Sequence, residues 1–517
     1  MIETELKLVI DEVAARAIWP RAVAAGLIAA APRPRLLKSI YYDTPDHALR
    51  RAGIALRLRR DGRRWIQTVK LKSAIHGGLS RAGEWEARAP GGRLNPALIG
   101  DDALREEVLR LGEEGLAPIC ETTMRRAAGV LGGPDGAKVE LAVDQGEITA
   151  AGRALAFREM ELEAIEGPVA GVFDLALLLL PEGGVRFSHR SKSERGYLLA
   201  DGCDPAPKPA PRRARRVALS AEATSESAAR GMLRECVGQI AANIEATRAL
   251  DEPAGPHQLR IGLRRLRTAF SLFAPALRSP EATRLAEEAR WLAAAAAVGE
   301  LRDLEVARGD IIEPAGAAHP QEAGFRILAA ALSEAEAPMR ISLREMLDGK
   351  RVQAFLLHLA RFTECRGWLL SDDIAQTERL ARPAPKLARA ALEKTWRKVE
   401  IRARGLDGLG VEERHELRKS LKKLRYAVDF LRPLYPKKKV KEYLKKLKLL
   451  QDIFGDLNDV EMAAALFTGP EALGADDPAS QRAVGWILGS KSTGAEIAWA
   501  RASRLWRDLA EAKPFWR

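Results

Sequence analysis

Charges of one sign recur at every second position through the first part of the chain. They form Glu-x-Glu-x-Lys at residues 3–7, Arg-x-Arg at 57–59, Lys-x-Lys at 70–72, and Glu-x-Glu at 84–86 and 159–163. Successive side chains of a β-strand point to opposite faces, so each run predicts a strand with one charged and one apolar face. Like charges side by side are unfavourable and need a counter-charge, which a divalent cation supplies to carboxylates and a polyanion to lysine and arginine.

A closed barrel accounts for the whole set of charged faces. Any one run alone is also typical of a solvated outer face, but repeated pairs of one sign indicate faces that meet each other. We therefore expect an antiparallel β-barrel whose polar lumen has separate metal and phosphate zones. Flanking helices, such as one over residues 11–25, would cover its apolar exterior. The first part of the chain is then an α+β domain.

The chemistry of such a lumen follows from its charges. Carboxylate oxygens suit Mg²⁺ and Mn²⁺, and arginine and lysine neutralise phosphate oxygens, arginine by paired contacts. Phosphoryl transfer depends mainly on positioning and charge stabilisation, so no protein nucleophile is required. A water molecule oriented by the metal is the expected attacking group at a terminal phosphorus.

Net charge and cysteine content limit the class of protein. A formal net charge of +13 predicts an anionic partner, without choosing between nucleic acid, an anionic membrane and polyphosphate. The four cysteines are scattered, with no Cys-x-x-Cys pair, which indicates a reducing compartment. The acidic N-terminus is unlike a signal peptide, and the apolar runs fall short of the roughly 20 residues of a membrane span. We expect a cytoplasmic protein that makes no membrane contact.

A change in composition divides the chain. Residues 204–216 read DPAPKPAPRRARR, which is typical of an extended, polyproline-like spacer with a basic end. Before it lie the short alternating runs, and after it Ala, Leu, Arg and Glu recur at helical spacing. The sequence thus predicts a barrel domain over 1–203, a linker over 204–217 and an all-α domain over 218–517.

An internal repeat divides the all-α part. Residues 257–277 and 415–435 are identical at eight of 21 positions, with an offset of 158 residues. A second pair of short motifs, at 301–305 and 457–461, follows at an offset of 156 residues. Two matched pairs at nearly one offset predict a duplicated helical unit whose bundles are related by a pseudo-twofold axis. The expected halves cover about 218–375 and 376–517.

Each repeat places a histidine and three cations on one helix face. Positions i, i+3, i+7 and i+10 lie close together on a helix. They are occupied by His257, Arg260, Arg264 and Arg267 in the first copy, and by His415, Arg418, Lys422 and Arg425 in the second. One copy alone is typical of a solvated stripe, but the shared register indicates a surface for a long polyanion. Sparse aromatic residues argue against stacking on nucleic-acid bases.

The ordered series of charged runs resembles CYTH domains, the triphosphate tunnel metalloenzymes. The resemblance begins at Glu3-Thr4-Glu5-Leu6-Lys7, which matches their ExExK signature, and extends over about residues 1–200. It continues through residues 41–45, 56–59, 69–72, 84–86, 159–163 and 191–197. It implies a closed tunnel that acts on a short phosphate chain.

This resemblance also implies roles for individual residues. Carboxylates would hold Mg²⁺ or Mn²⁺, namely Glu3, Glu5, Glu159, Glu161 and Glu163, with Asp144 close to the metal zone. Cations would bind the phosphates, namely Lys7, Arg57, Arg59, Lys70, Lys72 and Lys192, with one further arginine at Arg125 or Arg126. The expected catalytic centre consists of Glu3, Glu5, Lys7 and Glu161.

The basic helices of the second part resemble CHAD domains, conserved-histidine α-helical modules often joined to CYTH domains. The matching motifs are the two H-x-L-R-x-x-L-[RK]-[RK]-L-R helices and residues 301–303, 450–452 and 455–459. The resemblance covers about residues 218–510. It implies that the two histidine-containing faces bind inorganic polyphosphate.

Together the two resemblances imply hydrolysis of inorganic triphosphate to diphosphate and phosphate in the tunnel, with polyphosphate bound by the helical part. CYTH domains also act on thiamine triphosphate and serve as adenylate cyclases, so thiamine triphosphate and ATP remain alternative substrates. A non-catalytic protein that binds polyphosphate or associates with its granules is a further alternative. The sequence leaves the oligomeric state open.

Overall fold

The computed structural model describes residues 2–370, 373–469 and 472–517, apart from the side chains of Lys72, Ser73, 296–298, Asn458 and 495–496. The chain divides into two compact units. The barrel unit consists of Met1–Lys208 and Asp348–Arg366, and the helical unit of Pro209–Leu347 and Gly367–Arg517.

Antiparallel strands of the barrel unit form a closed ring. The strands are β1 (Ile2–Val9), β2 (Arg35–Asp43), β3 (Ile54–Asp61), β4 (Arg64–His76), β5 (Leu79–Arg88), β6 (Ala117–Gly132), β7 (Lys138–Ala150), β8 (Arg153–Glu166) and β9 (Arg186–Phe187). Their order is β5-β4-β3-β2-β6-β7-β8-β1, and β1 closes the ring because it pairs with both β8 and β5. The short β9 pairs with β1 beside the ring. This arrangement confirms the predicted closed antiparallel β-barrel and shows that it has eight strands.

Helices cover parts of the barrel exterior. They are α1 (Glu12–Ala24), α2 (Ala48–Arg51), α3 (Asp102–Leu111) and α4 (Ala170–Leu179), whereas α5 (Lys192–Ala200) packs against inner-face residues. The Asp11 carboxylate caps α1 by accepting a hydrogen bond from the N–H of Ala14, and Ile18, Trp19 and Ala22 are buried on its inner side. The bounds of α1 agree with the helix predicted over residues 11–25.

Helix α5 closes one end of the barrel. It packs against β6 and β7, and its Leu199 belongs to a buried cluster with Tyr41, Cys120 and Ile148. Gly196 allows this close approach, because a Cβ there would lie 2.2 Å from the Cys120 sulfur. At the end of α5 the hydroxyl of Tyr197 donates a 2.7 Å hydrogen bond to the buried carboxylate of Asp43. The helix is therefore fixed relative to the barrel wall.

The part of the chain after α5 is built from α-helices of 4 to 33 residues. They are α6 (Ser225–Ala249), α7 (Ala254–Leu272), α8 (Ala274–Leu277), α9 (Pro280–Ala294), α10 (Ala296–Val306), α11 (Glu313–Ala318), α12 (Ala323–Asp348), α13 (Lys350–Glu364), α14 (Ile374–Ala381), α15 (Ala384–Arg402), α16 (Val411–Leu431), α17 (Lys437–Phe467) and α18 (Pro478–Ala510). A π-helical segment, Ala307–Ile312, joins α10 to α11. Among the described residues, no helix combines the length and the apolar character needed to cross a bilayer.

The two sequence repeats lie on α7 and α16, which contact each other within the helical unit. Helix α7 also packs against α6 and α9, and α16 against α15 and α17. The leucines opposite the basic faces, namely Leu259, Leu263 and Leu266 on α7 and Leu417, Leu421 and Leu424 on α16, are fully buried. This burial agrees with the helical period deduced from the sequence.

The predicted linker over residues 204–217 is not a free spacer. The unit boundary lies inside it, after Lys208. Beyond that boundary, Arg212 exchanges backbone hydrogen bonds of 2.9 Å with the side-chain amide of Asn243 on α6. Glu235 of α6 accepts a further hydrogen bond from the N–H of Arg215. The arginine-rich end of the segment is therefore part of the helical unit, because buried polar groups of α6 bind its backbone.

The predicted all-α domain over 218–517 also loses one helix to the barrel unit. Helix α13 packs against α4, and Arg361 forms a 2.9 Å ion pair with Asp174 there. The buried Gln353 amide receives a hydrogen bond from the N–H of Val185 at 2.9 Å and donates one to the carbonyl of Leu180. Composition could not indicate this because α13 has the same helical pattern as its neighbours in the sequence.

Replacement of Gln353 tests whether α13 stabilises the barrel unit. Gln353→Leu should lower the free energy of unfolding by about 2 kcal/mol, because two buried backbone groups lose their partners. Urea denaturation of the full chain, followed by tryptophan fluorescence, measures the change. The exposed Gln321 provides a control, since Gln321→Leu should change stability by less than about 0.5 kcal/mol. Equal midpoints for the two variants would contradict this role of Gln353.

Candidate functional site

The hydrogen-bond register brings charged residues of neighbouring strands onto the inner face of the barrel. Glu5 on β1 lies opposite Glu163 on β8, and Lys7 lies opposite Glu161. On the other side of β8, Glu140 of β7 lies opposite Glu163. Directly opposed residues of antiparallel strands project from the same face of the sheet. Residues far apart in the sequence therefore meet in one lumen.

The remaining strands complete this lining. Lys70 on β4 lies opposite Glu84 on β5, with 3.3 Å between their charged groups, and it also pairs with Glu3. Arg57 on β3 lies 3.5 Å from Glu84. The predicted convergence of Glu3, Arg57, Lys70 and Glu161 is thus present in the structure.

A buried ion network occupies the middle of the lumen. The Lys192 amine lies 2.9 Å from Asp144 and 2.7 Å from Glu161. Arg126 binds Asp144 through two parallel hydrogen bonds and also contacts Glu161. Although burial opposes it, the charges of Lys192, Lys7 and Arg126 hold the pKa of Glu161 well below its ordinary value. Asp144 has no exposed surface, so this network is shielded from solvent.

Helix α5 supplies cations to this network from the closed end of the barrel. Lys192, its first residue, also lies 3.1 Å from Glu159. Arg195, one helical turn later, contacts the same carboxylate at 2.6 Å. Sequence analysis missed Arg195, although a lysine and an arginine three residues apart on a helix share a face.

An acidic zone surrounds Glu163. Burial, together with the carboxylates of Glu3, Glu5 and Glu140, raises the pKa of Glu163 to about 7. Burial also raises the pKa of Glu3, against the influence of Lys70 and with a contribution from Glu84. Carboxylates are thus crowded here beyond what the neighbouring cations neutralise. Glu140 and Glu84 were absent from the predicted site, although the alternation of β5 and β7 places them on its face.

A basic zone lies around Arg59. Burial and the guanidinium groups of Arg57 and Arg126 lower the pKa of Arg59 to about 10. Glu86 partly balances these charges, with a carboxylate 3.4 Å from Arg57. A bound anion would relieve the repulsion between the arginines. The lumen therefore has the two oppositely charged zones that the sequence indicated.

The acidic zone fits a divalent cation by the chemistry of its donors. Among the described residues, no three carboxylate, histidine or cysteine side chains are arranged closely enough to hold a metal ion. Glu3, Glu5, Glu140 and Glu163 nevertheless supply only oxygen ligands, which hard divalent cations prefer. Asp144, Glu159 and Glu161 are paired with Lys192, just as Glu5 is paired with Lys7 and Glu3 with Lys70.

Two predicted phosphate-binding residues need separate comment. Arg126 lies in the lumen, whereas Arg125 projects to the other face of β6 and is exposed, so Arg125 is removed from the candidate site. The sequence left this choice open because adjacent strand residues face opposite ways and the register of β6 was unknown. The side chain of Lys72 lies outside the described residues.

A second candidate site lies in the helical unit, where α7 and α16 face a cleft of about 1860 Å³. The basic residues that line it include His257, Arg260, Arg264, Arg267, Arg302, His415, Arg418, Lys419, Lys422 and Lys423. The second repeat motif also contributes, since Asp303 and Asp459 lie in the lining. The duplication therefore brings corresponding residues of both copies to one cavity.

Like charges crowd this cleft. Burial and the charges of Arg418, Arg264 and Arg260 lower the pKa of Lys422 to about 7. Burial and the charges of Arg302, Arg264 and Arg260 lower the pKa of His257 to about 4. Both shifts indicate that positive charge is already in excess there, which an anion would offset.

One predicted residue of the basic faces lies outside the cleft. Arg425 does not belong to the cleft lining, and its guanidinium donates a 3.2 Å hydrogen bond to Gln451 instead. Lys419, Lys423 and Tyr426 line the cleft in its place. The face of α16 is thus rotated slightly from the predicted one, because i+4, i+8 and i+11 neighbours of His415 face the cleft together.

Comparison with known proteins identifies one domain in the first part of the chain and another in the second. Residues 1–197 match the model of the CYTH domain, and residues 231–468 match that of the CHAD domain. An inorganic triphosphatase of Haemophilus influenzae is 31% identical over 170 residues, which are 32% of this chain and 46% of that protein. The match therefore spans about half of the relative's length.

Two solved structures are also similar to parts of the chain. The CHAD domain of the plant Ricinus communis is 25% identical and covers 59% of this chain and 98% of its own, with a TM-score of 0.49. A putative adenylyl cyclase from Hippeastrum, described as having a dominant triphosphatase activity, is 19% identical, covers 39% of this chain and 96% of its own, and has a TM-score of 0.29. The two domain matches identify a CYTH domain over residues 1–197 and a CHAD domain over residues 231–468.

Proposed function

We propose that the barrel unit is a metal-dependent hydrolase that converts inorganic triphosphate to diphosphate and phosphate. The observation that carries the proposal is the division of one closed lumen into a carboxylate zone around Glu163 and a guanidinium zone around Arg59. A short phosphate chain with a divalent cation has the matching charges. The CYTH match and the similarity to an inorganic triphosphatase support the same activity.

Glu3, Glu5, Glu140 and Glu163 would hold the cation, Mg²⁺ or Mn²⁺. When bound, such a cation neutralises phosphate charge and orients a water molecule. Glu159, Glu161 and Asp144 would instead position Lys192 and Arg126, which they contact. Compared with the metal ligands expected from the sequence, the proposal keeps Glu3, Glu5 and Glu163, adds Glu140, and leaves out the three carboxylates that contact Lys192 and Arg126.

The cations of the lumen would bind and orient the substrate. Arg57, Arg59 and Arg126 present planar groups that suit paired contacts with phosphate oxygens. Lys7 lies between the zones, 2.7 Å from Glu5 and 3.4 Å from Glu161, and could move from a carboxylate to a phosphate oxygen. Because the network is buried, these interactions are weakly screened and hold the phosphate chain in one orientation.

Replacement of Glu5 tests the proposed metal zone. Glu5→Gln should lower the release of phosphate from triphosphate with Mg²⁺ or Mn²⁺ at least about tenfold, because it removes a charged metal ligand. A colorimetric phosphate assay measures turnover. Glu166→Gln, at the exposed end of β8, is the matched control and should remain fully active. Equal turnover in both variants would rule out Glu5 as a ligand, and an inactive wild-type protein would favour a non-catalytic binding role.

Substrate choice is tested with the same assay. We expect faster turnover with triphosphate than with thiamine triphosphate or ATP, because the described lumen is lined mainly by charged groups for phosphates. A higher kcat/KM for thiamine triphosphate or ATP would replace triphosphate as the proposed substrate.

We further propose that the cleft between α7 and α16 binds inorganic polyphosphate. Its crowded cations need an anion, and repeated phosphates supply many charges along one chain. The CHAD match supports this proposal. In this proposal the residues that hold the polymer are His257, Arg260, Arg264, Arg267, His415, Arg418 and Lys422.

Charge reversal tests the cleft independently of the barrel. Changing His257, Arg264, His415 and Lys422 to Glu should abolish retention on immobilised polyphosphate at low salt and leave triphosphate hydrolysis intact. The matched control reverses four exposed arginines outside the cleft lining, Arg326, Arg404, Arg501 and Arg504. Similar retention of both variants would show that overall charge, and not the cleft, binds the polymer.

The pH dependence of binding provides a further test. In the free protein the pKa of Lys422 is about 7, so the amine is mostly neutral above pH 7. A bound polyanion favours the charged amine. Binding above pH 7 therefore requires Lys422 to take up a proton. Affinity should therefore fall by up to about tenfold from pH 6 to pH 8. Lys422→Arg should bind with little change over this range, because arginine stays protonated. The same decrease in Lys422→Arg would exclude Lys422 as the titrating group.

A further inference from the structure

The first part of α17 carries a row of lysines on its exposed side. Seven of the 12 residues from Lys437 to Lys448 are lysines, and Glu442 is the one carboxylate among them. At 3.6 residues per turn, five of the lysines share a face about 100° wide. This lysine row consists of Lys437, Lys438, Lys441, Lys445 and Lys448, and all five are exposed. The opposite side of the helix, with Val440, Tyr443 and Leu447, is buried.

The lysine row is unfavourable for the helix that carries it. Like charges at i and i+4, such as Lys437 with Lys441 and Lys441 with Lys445, repel each other. The helix begins with three lysines at the positive end of its dipole, where carboxylates are preferred. Pro436 precedes them without a side-chain cap, and the first turn holds no acidic residue. Each of these effects would be reversed by a bound polyanion.

The lysine row continues the line of α17 residues that enters the cleft. From Lys441 the same helix face passes through Lys445 and Lys448 to Asp452, Gly455 and Asp459, at alternating spacings of four and three residues. The last three of these residues line the cleft. Lys448 precedes Asp452 by four residues, which is about 6 Å along a helix axis. The cleft and the row are therefore adjacent parts of one surface.

Arg425 lies at the junction of these two parts. Its hydrogen bond to Gln451 places the guanidinium beside α17, one turn beyond Lys448. The side chain is 45% exposed, so part of it is accessible to a ligand. The guanidinium also lies 3.9 Å from the carboxylate of Asp429, and it places a cation between the cleft and the lysine row.

We propose that the lysine row is a second polyphosphate-binding segment, which holds the part of a long chain that leaves the cleft past Arg425. The inference rests on the proposed binding of polyphosphate in the cleft. The row contains only lysines, which contact phosphates as point charges. It has no exposed aromatic ring for base stacking, and its apolar side is buried and unable to enter a bilayer.

Chain length separates the two segments experimentally. Dissociation constants would be measured with the full-length protein for a short polyphosphate that the cleft alone accommodates and for a chain about ten times longer. The variant K441Q/K445Q should bind the long chain about tenfold more weakly than wild type, with a smaller salt dependence, and bind the short chain equally well. The matched control K439Q/K446Q changes two lysines on other sides of the same helix and should resemble wild type for both chains.

The outcomes distinguish this inference from the proposal on which it rests. Unchanged affinity of K441Q/K445Q for the long chain, with cleft variants still impaired, would overturn the role of the lysine row alone. Failure of wild type to bind either chain would overturn the proposed function of the cleft. If K441Q/K445Q lost binding to duplex DNA or to phosphatidylserine vesicles but kept that for long polyphosphate, the row would have a different ligand and the inference would be wrong.

Discussion

The barrel unit depends on the mutual neutralisation of charges that are buried in its lumen. An isolated ion in a protein interior is strongly unfavourable, so each lumenal carboxylate and cation must find a partner. Asp144, Glu159 and Glu161 achieve this around Lys192, which α5 places at the closed end. The strand register and the position of α5 thus determine together which lumenal charges neutralise each other and where the two charge zones lie. Neutralisation is incomplete around Glu163 and Arg59, which are the zones proposed to bind the cation and the phosphates.

The helical unit has a different electrostatic organisation, since the lysines and arginines that line its cleft outnumber the carboxylates. Duplication of a helix with a histidine and several cations doubles that charge when the two copies face each other. Burial and the neighbouring cations together lower the pKa of Lys422. Such a surface is unfavourable in the free protein, and in the proposed function a ligand with repeated negative charges would reduce the repulsion. Folding is maintained because the buried leucines on the opposite faces of α7 and α16 pack into the core.

Much of the fold was predictable because side-chain periodicity reports which face is buried. Alternating charges identified the barrel strands, and the shared register of His257 and His415 identified two corresponding helices. Periodicity does not report the pairing of strands, so it could not choose between Arg125 and Arg126 or place Glu140 beside Glu163. It also misjudged slightly which face of α16 lines the cleft, so that Arg425 was wrongly assigned to the cleft. Periodicity gives no information about contacts between residues far apart in the sequence, such as the packing of α13 within the barrel unit.

The discontinuity of the barrel unit has a consequence for its biosynthesis. Domains generally fold as units while the ribosome extends the chain from the N-terminus. Here all the barrel strands have been translated once the ribosome has passed Phe187. The helix that binds the backbone at Leu180 and Val185, however, begins only at Lys350. The barrel surface that α13 covers must therefore stay uncovered while about 160 further residues are translated. We expect an early, incomplete barrel to be the species that chaperones and proteases encounter during translation.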